Sequence, residues 1–251
     1  MNREEMNRYR YFLKDSIRKE IDFSLTDQSQ GVPAPPLQKP YSLDAARVDL
    51  PTTNWEAEFR INLSEAIQNR TSRRQYLDEP LTLMELSYLL WATQGMKHNF
   101  GNYAFRTVPS AGCRHALETY LAVFNVEELK EGVYRYLPLT HELLHEFQTD
   151  QLREKIIKAS FGQSFAGKSA VTFIWTTIPY RMEWRYHIDS HKVIAIDAGH
   201  VGQNLYLACE ALGCGTCAIG AYDQEYFDEL LGLDGEEEFV IYAAPVGRVK
   251  K

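Results

Sequence analysis

Several features that would define other protein classes are scarce in this chain. Its 251 residues include only four cysteines, too few for the disulfide framework of a small secreted scaffold. No run reaches the roughly 18 apolar residues of a membrane span, so no membrane partner is expected. The first 19 residues carry many charges where a secretory signal would be apolar. The sequence therefore predicts a reduced, cytoplasmic protein.

Positive charge is also in short supply. Lys and Arg number 27 against 34 Asp and Glu, which gives a formal net charge of -7. Because a nucleic-acid-binding face needs a broad basic surface, we expect no nucleic-acid partner. Hydrophobic residues make up 45% of the chain, enough to bury a core without disulfides. Any anion that binds must be held by a local cluster of arginines.

The first sixty residues differ in composition from the rest. Residues 30–53 hold five of the ten prolines. Proline removes a backbone donor and restricts the residue before it, so this segment is predicted to run extended over a surface. Ahead of it, apolar residues at helical spacing predict one short helix within 7–21. We therefore divide the chain into an N-terminal helix and proline-rich arm, residues 1–60, and a globular domain, residues 61–251.

Helices and strands are predicted to interleave in the globular domain. Helical patterns occur at 64–69, 83–93, 150–160 and 191–212. The second of these has Thr82 as its N-cap and Gly95 as its stop signal. Strand patterns occur at 120–126, 133–137, 170–178 and 239–249. The long gaps between strands make a doubly wound parallel sheet a poor match, so we expect an α+β or α/β fold.

Two short motifs indicate metal or redox chemistry but lack the context for it. His141, Glu142 and His145 match the H-E-x-x-H pattern of zinc peptidases, yet Gln148 and Gln151 stand where a metzincin needs Gly and His. We interpret this segment as a solvated amphipathic turn and assign no metal ligand.

Cys214 and Cys217 have the C-x-x-C spacing of redox pairs. A thioredoxin-like pair opens a helix, whereas this pair closes a long predicted helix. Two small buried thiols are therefore expected.

Residues 70–74 concentrate three guanidiniums and two hydroxyls in an acidic chain. Guanidiniums match phosphate oxygens bidentately, so Arg70, Thr71, Ser72 and Arg74 form a candidate phosphate clasp. The alternative is a solvated basic end of the preceding helix. The small-residue stretches 109–112 and 217–221 would let backbone approach a flat ligand, although either could be a tight turn. Residues 245–251 add a second basic cluster.

Taken in order, these segments resemble the nitroreductase family of flavin proteins. The matching motifs are R-x-S-x-R at 70–74, P-S-x-G at 109–112, D-x-G-x-x-x-Q-N-L at 197–205, L-G-x-G-T-C-x-I-G at 212–220 and P-x-G-R at 245–248. The similarity spans about residues 64–250. The segments 90–95, 106–112 and 132–136, with the proline-rich arm, resemble the SagB-type dehydrogenase branch, in which 141–145 would be a helix after a strand.

The resemblance implies a nitroreductase-like α+β sandwich, with a mostly antiparallel central sheet flanked by helices. It further implies an intertwined homodimer with tightly bound FMN at the subunit interface, and an arm and tail that wrap the partner. Arg70, Thr71, Ser72, Arg74, Arg248 and Lys250 would hold the phosphate and ribityl chain. The flavin ring would lie against Gln94, Pro109, Ser110, Ala111, Gly112, Ile219 and Gly220, with 109–112 from the partner and the Gly220 N–H on N5.

The implied activity is ping-pong hydride transfer from NADH or NADPH, through flavin N5, to a small nitro, quinone or similar acceptor. An azoline dehydrogenase of the SagB type, oxidising thiazoline or oxazoline in a peptide, is the alternative, and a catalytically silent flavin-binding subunit is another. In azoline oxidases a Lys-Tyr pair removes the proton, and Arg185 and Tyr186 occupy the matching positions here. Arginine does not lose its proton at neutral pH, so Tyr186 is the candidate catalytic residue.

Overall fold

A seven-stranded sheet runs through the molecule, and every pairing within it is antiparallel. The computed structural model describes residues 2–250. The strand order is β1-β6-β5-β4-β7-β9-β8, and β2 pairs with β3 in a separate hairpin. The strands are β1 Arg47–Asp49, β2 Met96–Asn99, β3 Ala104–Arg106, β4 Leu117–Val123, β5 Gly132–Leu137, β6 Glu142–Phe147, β7 Val171–Thr177, β8 Cys214–Thr216 and β9 Phe239–Arg248.

Helices cover both faces of this sheet. They are α1 Arg3–Arg10, α2 Trp55–Glu58, α3 Leu63–Asn69, α4 Leu83–Gln94, α5 Leu152–Ala159, α6 Tyr180–Tyr186, α7 Ser190–Leu212 and α8 Gln224–Leu231. The prediction of an α+β fold with a mostly antiparallel sheet flanked by helices is thereby confirmed. Every predicted strand and the helices at 83–93, 150–160 and 191–212 are present, with ends shifted by up to three residues.

Strand β4 shows why the strand sequences are continuously apolar and do not alternate between apolar and polar residues. Leu121 and Val123 join a buried cluster with residues of α4 and α7. Tyr120 and Ala122 point to the opposite face and join a second cluster with residues of α5 and α8. Since side chains alternate between the faces of a strand, both faces must be apolar where helices cover both.

Local signals fix the ends of the two helices nearest the site. Thr82 caps α4 through a hydrogen bond from the Glu85 N–H, and the Glu85 carboxylate accepts one from the Thr82 N–H. This capping box satisfies two amides that the first turn leaves without helical partners. Helix α7 ends at Gly213, which adopts the left-handed conformation that glycine permits at a helix end.

The predicted single helix within 7–21 is wrong beyond Arg10. Helix α1 ends there, and short 3-10 turns follow at Tyr11–Leu13 and Asp15–Glu20, separated by extended Lys14. Tyr9 and Leu13, two of the residues expected to form a buried stripe, are largely exposed. An apolar face that finds no core to cover provides little of the tertiary stabilisation that a short helix needs.

The proline-rich arm packs against its own chain. Four of its backbone carbonyls accept hydrogen bonds from buried arginines of the globular part, as the following pairs show: Pro35 from Arg114, Leu37 from Arg106, and Lys39 and Pro40 from Arg135. Further on, β1 pairs with β6 as an edge strand of the main sheet. This part of the arm is therefore held on its own chain, and its contact with a partner subunit stays a prediction. The division at residue 60 stays a prediction.

Residues 142–147 form strand β6, so the interpretation of 141–145 as a helix or amphipathic turn is wrong. His141 precedes the strand, and its ring nitrogens bond the Ser87 hydroxyl at 2.8 Å and the Tyr136 hydroxyl at 2.7 Å. A strand carries residues four apart along about 13 Å, too far for two ligands of one zinc ion. In the described part of the chain, no group of three or more His, Cys, Asp or Glu could hold a metal.

Candidate functional site

The arginine-rich loop 70–74 lies along the free edge of strand β8. Ser72 forms an isolated parallel bridge with Thr216, and the Arg73 N–H donates to the Thr216 carbonyl at 2.9 Å. The loop follows α3, whose last turn ends at Asn69. Its backbone is therefore extended because it continues the sheet, and Thr71, Ser72 and Arg74 are exposed on it.

Tyr206 of α7 ties this loop to the segment after β8. Its hydroxyl lies 3.0 Å from the Ser72 hydroxyl and accepts a hydrogen bond from the Ala218 N–H at 2.9 Å. The guanidinium of Arg70 lies over the Tyr206 ring, 5.2 Å from its centroid. One aromatic side chain thus fixes two backbone segments and one cation of the candidate site.

A cavity of about 510 Å³ opens beside this loop, and the charges that line it are all positive. Its walls include Ser72, Arg73, Arg74 and Lys250, and no carboxylate of residues 2–250 lines it. A larger neighbouring cavity of about 1070 Å³ also contains Arg73 and Lys250, but three glutamates line it as well, namely Glu56, Glu65 and Glu210. The smaller cavity is therefore the better place for an anion.

Two buried polar atoms beside the loop have no hydrogen-bond partner among residues 2–250. They are Nε of Arg73 and Oγ1 of Thr216. Buried polar groups are normally satisfied, and leaving one unpaired costs about 1–3 kcal/mol. Unpaired donors in a cationic wall are the feature expected where an anionic ligand completes the hydrogen bonding.

Arg248 needs a correction, because its guanidinium is not free to bind a phosphate. Its Nη2 lies 2.6 and 2.8 Å from the two carboxylate oxygens of Glu85, and its Nη1 donates to the Leu212 carbonyl at 2.8 Å. The side chain thus joins the end of β9 to the start of α4 and the end of α7. Of the predicted C-terminal pair, only Lys250 shares a cavity with the loop 70–74.

The second small-residue stretch, 109–112, contacts the first half of α7. Burial raises the pKa of Asp197, and hydrogen bonds from the Ser110 hydroxyl and the Ala111 N–H oppose that rise. The Ser110 hydroxyl also accepts from the His115 N–H at 2.9 Å. Asp197 of the D-x-G motif therefore lies against this loop, and its Oδ2 is buried without a hydrogen-bond partner among residues 2–250.

Gly112 brings the loop 109–112 into direct contact with Arg185 and Tyr186. It has a φ of +56°, and a Cβ added there would lie 2.6 Å from the Tyr186 hydroxyl and 2.9 Å from Nε of Arg185. Only glycine fits both the backbone conformation and the space. The candidate catalytic Tyr186 and the loop predicted to line the flavin edge are thus neighbours in the fold.

Ile219 and Gly220 differ sharply in their surroundings. Ile219 is buried and exchanges two backbone hydrogen bonds with Ala243. Gly220 is exposed, nothing lies within 4 Å of an added Cβ, and its N–H has no acceptor within residues 2–250. The buried residue anchors the turn and leaves the next amide open, which suits a backbone donor to a ligand.

Gln94 has a partner that its sequence pattern did not reveal. It is buried at the end of α4, and its Oε1 accepts a hydrogen bond from the equally buried Arg106 at 2.9 Å. Arg106 in turn donates to the Leu37 carbonyl of the arm. The expected contact with the pyrimidine edge of a flavin is therefore corrected, since this amide holds a structural arginine.

Tyr206 was not predicted as a member of the site, and Arg73 was counted among the three guanidiniums of 70–74 without a role of its own. Arg73 lies between the two positions of the R-x-S-x-R pattern, and its Cβ and Cγ pack against Gly215. Tyr206 directly follows the Q-N-L motif on α7. An aromatic residue next to a matched motif was the available signal, but its contact with residue 72 depends on the tertiary fold.

The C-x-x-C pair forms no redox centre. Both Cys214 and Cys217 are buried free thiols, as expected. Burial raises the pKa of the Cys214 thiol to about 12, so the reactive thiolate is disfavoured at neutral pH.

The two halves of the predicted site lie at different points along α7. Asp197 meets the loop 109–112, whereas Tyr206 meets the loop 70–74. Nine residues separate them, and at 1.5 Å per residue this is about 14 Å along the helix. The loops 109–112 and 70–74 therefore contact α7 at two separate points.

Comparison with known proteins defines the class. The family model of the Nitroreductase family matches residues 67–248, which is well over half of the chain. A protein of Methanocaldococcus jannaschii is 33% identical over 188 residues, covering 75% of this chain and 91% of that protein. This chain therefore belongs to the nitroreductase family, whose members are oxidoreductases.

Two further similarities extend this result. A crystal structure from Ralstonia eutropha has a TM-score of 0.69 at 25% identity and covers 87% of this chain and 94% of that one. It and the M. jannaschii protein are each described as a putative nitroreductase. The trifolitoxin-processing protein TfxB of Rhizobium leguminosarum is 27% identical over 153 residues, covering 59% of this chain and 41% of that protein. Within residues 2–250, no helix is long and apolar enough to cross a membrane.

Proposed function

We propose that this protein is an FMN-dependent oxidoreductase that works as a homodimer with FMN at the subunit interface. The observation that carries the proposal is the cavity lined by Ser72, Arg73, Arg74 and Lys250, which no carboxylate of residues 2–250 lines. In a chain of net charge -7, such a cavity selects an anionic ligand. A phosphate monoester fits this donor set, because guanidiniums bind its oxygens through charge-assisted hydrogen bonds.

The residues of this chain divide into a phosphate end and a ring end. Arg70, Arg74 and Lys250 hold the phosphate, while the hydroxyls of Thr71 and Ser72 add neutral donors. The open Gly220 N–H supplies a directed donor to the ring, and burial of Ile219 fixes its direction. Pro109, Ser110, Ala111 and Gly112 reach the ring from the partner subunit, as the resemblance to nitroreductases implies.

When bound, FMN supplies hydride transfer, in ping-pong order, from NADH or NADPH to a small electrophilic acceptor such as a nitro group or a quinone. Reduction of a nitro group to a nitroso group takes two electrons and two protons and releases one water. Tyr186 holds a phenolic proton beside the loop 109–112 and is the nearest candidate donor for one of these protons.

An absorption spectrum of the purified protein, followed by anaerobic titration with NADPH, NADH and dithionite, tests this proposal. We expect a yellow protein that bleaches with a reductant and regains its colour when nitrobenzene or menadione is added. A colourless protein that refuses added FMN would contradict it. Bound FMN without turnover on nitroaromatics, quinones or azoline peptides would indicate the silent flavin-binding subunit instead.

A second candidate is an azoline dehydrogenase that oxidises thiazoline or oxazoline in a peptide. Two observations favour it: Tyr186 contacts the loop 109–112, and one relative is named as a trifolitoxin-processing protein. Arg185 stands in place of the expected lysine, so Tyr186 would have to take the proton alone. A thiazoline peptide incubated with the oxidised protein would then gain a thiazole, a loss of two hydrogens measurable by mass spectrometry.

A further inference from the structure

A second cavity of about 530 Å³ lies between the N-terminal arm and helix α6. Its walls come from residues 28–34 of the arm, the β2-β3 hairpin, the end of the loop 109–112, and α6. In the part of the chain that the structure describes, two guanidiniums, those of Arg114 and Arg185, are the only charged groups that line it, and no carboxylate does. In an acidic chain, a cavity with two positive charges and no negative one favours an anion.

Arg114 is a fixed part of this wall. Its side chain is buried, and it donates to three backbone carbonyls, those of Pro35, Asn102 and Arg181. The guanidinium also lies 4.8 Å from the centre of the Trp184 ring. These contacts hold its charge in place without neutralising it, because carbonyls are dipoles and carry no net charge.

Arg185 is the cation available to a ligand. Within residues 2–250, no carboxylate or carbonyl accepts a hydrogen bond from its guanidinium. The group lies over the ring of Tyr186, 5.5 Å from the centroid, and against Gly112. Its charge is therefore placed next to the candidate catalytic phenol and is not neutralised there.

The arm closes the cavity from the other side. The indole N–H of Trp184 donates to the Val32 carbonyl at 2.9 Å, and the Gln28 N–H donates to the Trp184 carbonyl at 2.9 Å. These bonds hold residues 28–34 across the mouth beside Arg185. The closing segment lies outside residues 67–248, the part that matches the family.

We propose that this cavity binds a carboxylate carried by the acceptor substrate and that Arg185 is the residue that recognises it. The inference rests on the proposed function, because Arg185 and Tyr186 both contact the loop 109–112. A carboxylate held by Arg185 would place the rest of the molecule beside the Tyr186 hydroxyl. The arginine that replaces the expected lysine thereby acts as a binding group instead of a base.

Matched acceptors test this proposal: 4-nitrobenzoate and its neutral amide, 4-nitrobenzamide, with NADPH as reductant. We expect the wild-type protein to show a KM about tenfold lower for the acid, since a charged hydrogen bond contributes about 1.5 kcal/mol or more. Arg185→Gln should remove that preference by raising the KM of the acid, with little change for the amide. Arg185→Lys should restore part of it, and the exposed Arg8→Gln should behave as wild type.

Binding measured without turnover separates this inference from the proposed function. Equilibrium dialysis of 4-nitrobenzoate against the oxidised protein should show affinity that falls with added KCl and is lost in Arg185→Gln. If neither acceptor is reduced but this binding persists, the proposed function fails and the anion site stands. If both acceptors are reduced with equal KM and Arg185→Gln binds the acid as well as wild type, the anion site is refuted and the oxidoreductase stands.

Discussion

Glu85 and Arg248 form an ion pair that joins the start of α4 to the last residue of β9. The Arg248 Nη2 contacts both carboxylate oxygens of Glu85, at 2.6 and 2.8 Å, and Oε2 also accepts from the Thr82 N–H that begins the helix. The Arg248 side chain is 22% exposed and that of Glu85 is 12% exposed, so the pair is largely shielded from solvent. One carboxylate thus serves both as a helix cap and as the partner of a strand end.

We therefore predict that Arg248 contributes to stability and not to cofactor affinity. Arg248→Met should lower the free energy of unfolding by about 1–3 kcal/mol, because Glu85 loses a charged hydrogen-bond partner in a partly buried place. Urea denaturation of the flavin-free protein measures this loss, with the exposed Arg8→Met as control. If the variant kept full stability but no longer bound FMN, Arg248 would instead be a phosphate-binding residue.

The loop 70–74 is expected to show the opposite behaviour. Arg70→Ala and Arg74→Ala should each weaken FMN binding by about 10- to 150-fold, which corresponds to about 1.5–3 kcal/mol for a lost charged hydrogen bond. Fluorescence titration of apoprotein with FMN measures the affinity, and the exposed Lys168→Ala serves as a charge-matched control. Unchanged FMN affinity in both arginine variants would contradict the proposal that this loop binds the phosphate.

Gly112 and Tyr186 offer a test of the local geometry by a double-mutant cycle. Gly112→Ala should cost about 1–3 kcal/mol of stability, since it adds a methyl group 2.6 Å from the Tyr186 hydroxyl at a positive φ. Tyr186→Phe removes that hydroxyl, so the double variant should regain part of the loss. Gly199→Ala is the matched control, because nothing lies within 4 Å of its added methyl group. Strict additivity of the two changes would show that the contact does not exist.

The burial of His115 predicts a pH dependence of stability. Burial, with the nearby Arg106, lowers the pKa of His115 to about 3 in the folded chain, whereas the unfolded chain takes up a proton below about 6.5. The contribution of neutral His115 to the free energy of unfolding is therefore complete above pH 6.5. It is lost as the pH falls toward 3, by up to about 1.4 kcal/mol per pH unit.

Urea midpoints measured between about pH 7 and pH 5 should fall in wild type and fall less in His115→Gln. Glutamine keeps a donor for the Ala104 carbonyl, which the His115 ring now contacts at 2.9 Å. His98→Gln, at an exposed position, should leave the wild-type slope unchanged. Equal slopes in wild type and His115→Gln would mean that His115 is not buried as a neutral group.

Features that depend on residues close together in the sequence could be predicted, whereas features that depend on residues far apart in the sequence could not. The N-cap Thr82 and the stop at Gly95 of helix α4 depend on residues within one turn, and both were predicted from the sequence. The partner of Arg248 stands 163 positions away, so no local pattern could show that its charge is already paired. At 141–145, two histidines four apart fit either a helix or a strand, and only pairing with β5 decided between them.

The same limit applies to the contacts that the arm makes with its own chain. Its prolines correctly indicated an extended chain, but its orientation is set by donors from Arg106, Arg114 and Arg135, which lie in three separate segments. A proline-rich backbone offers many unpaired carbonyls, and buried guanidiniums are suitable donors for them. The sequence thus defined the conformation of the arm, while its location depended on the folded core.

Subunit complementation tests whether the two halves of the site come from different chains. Arg74→Glu should abolish phosphate binding, and Tyr186→Phe should remove the proton donor. Each homodimer should therefore be inactive in nitroreduction. In a dimer of one chain of each kind, one interface site receives both lesions and the other receives neither. Co-refolded equal mixtures should therefore regain about a quarter of the wild-type sites, since about half the dimers are mixed. If Arg74 and Tyr186 served a site within one chain, the mixture would stay inactive, because every chain carries a lesion.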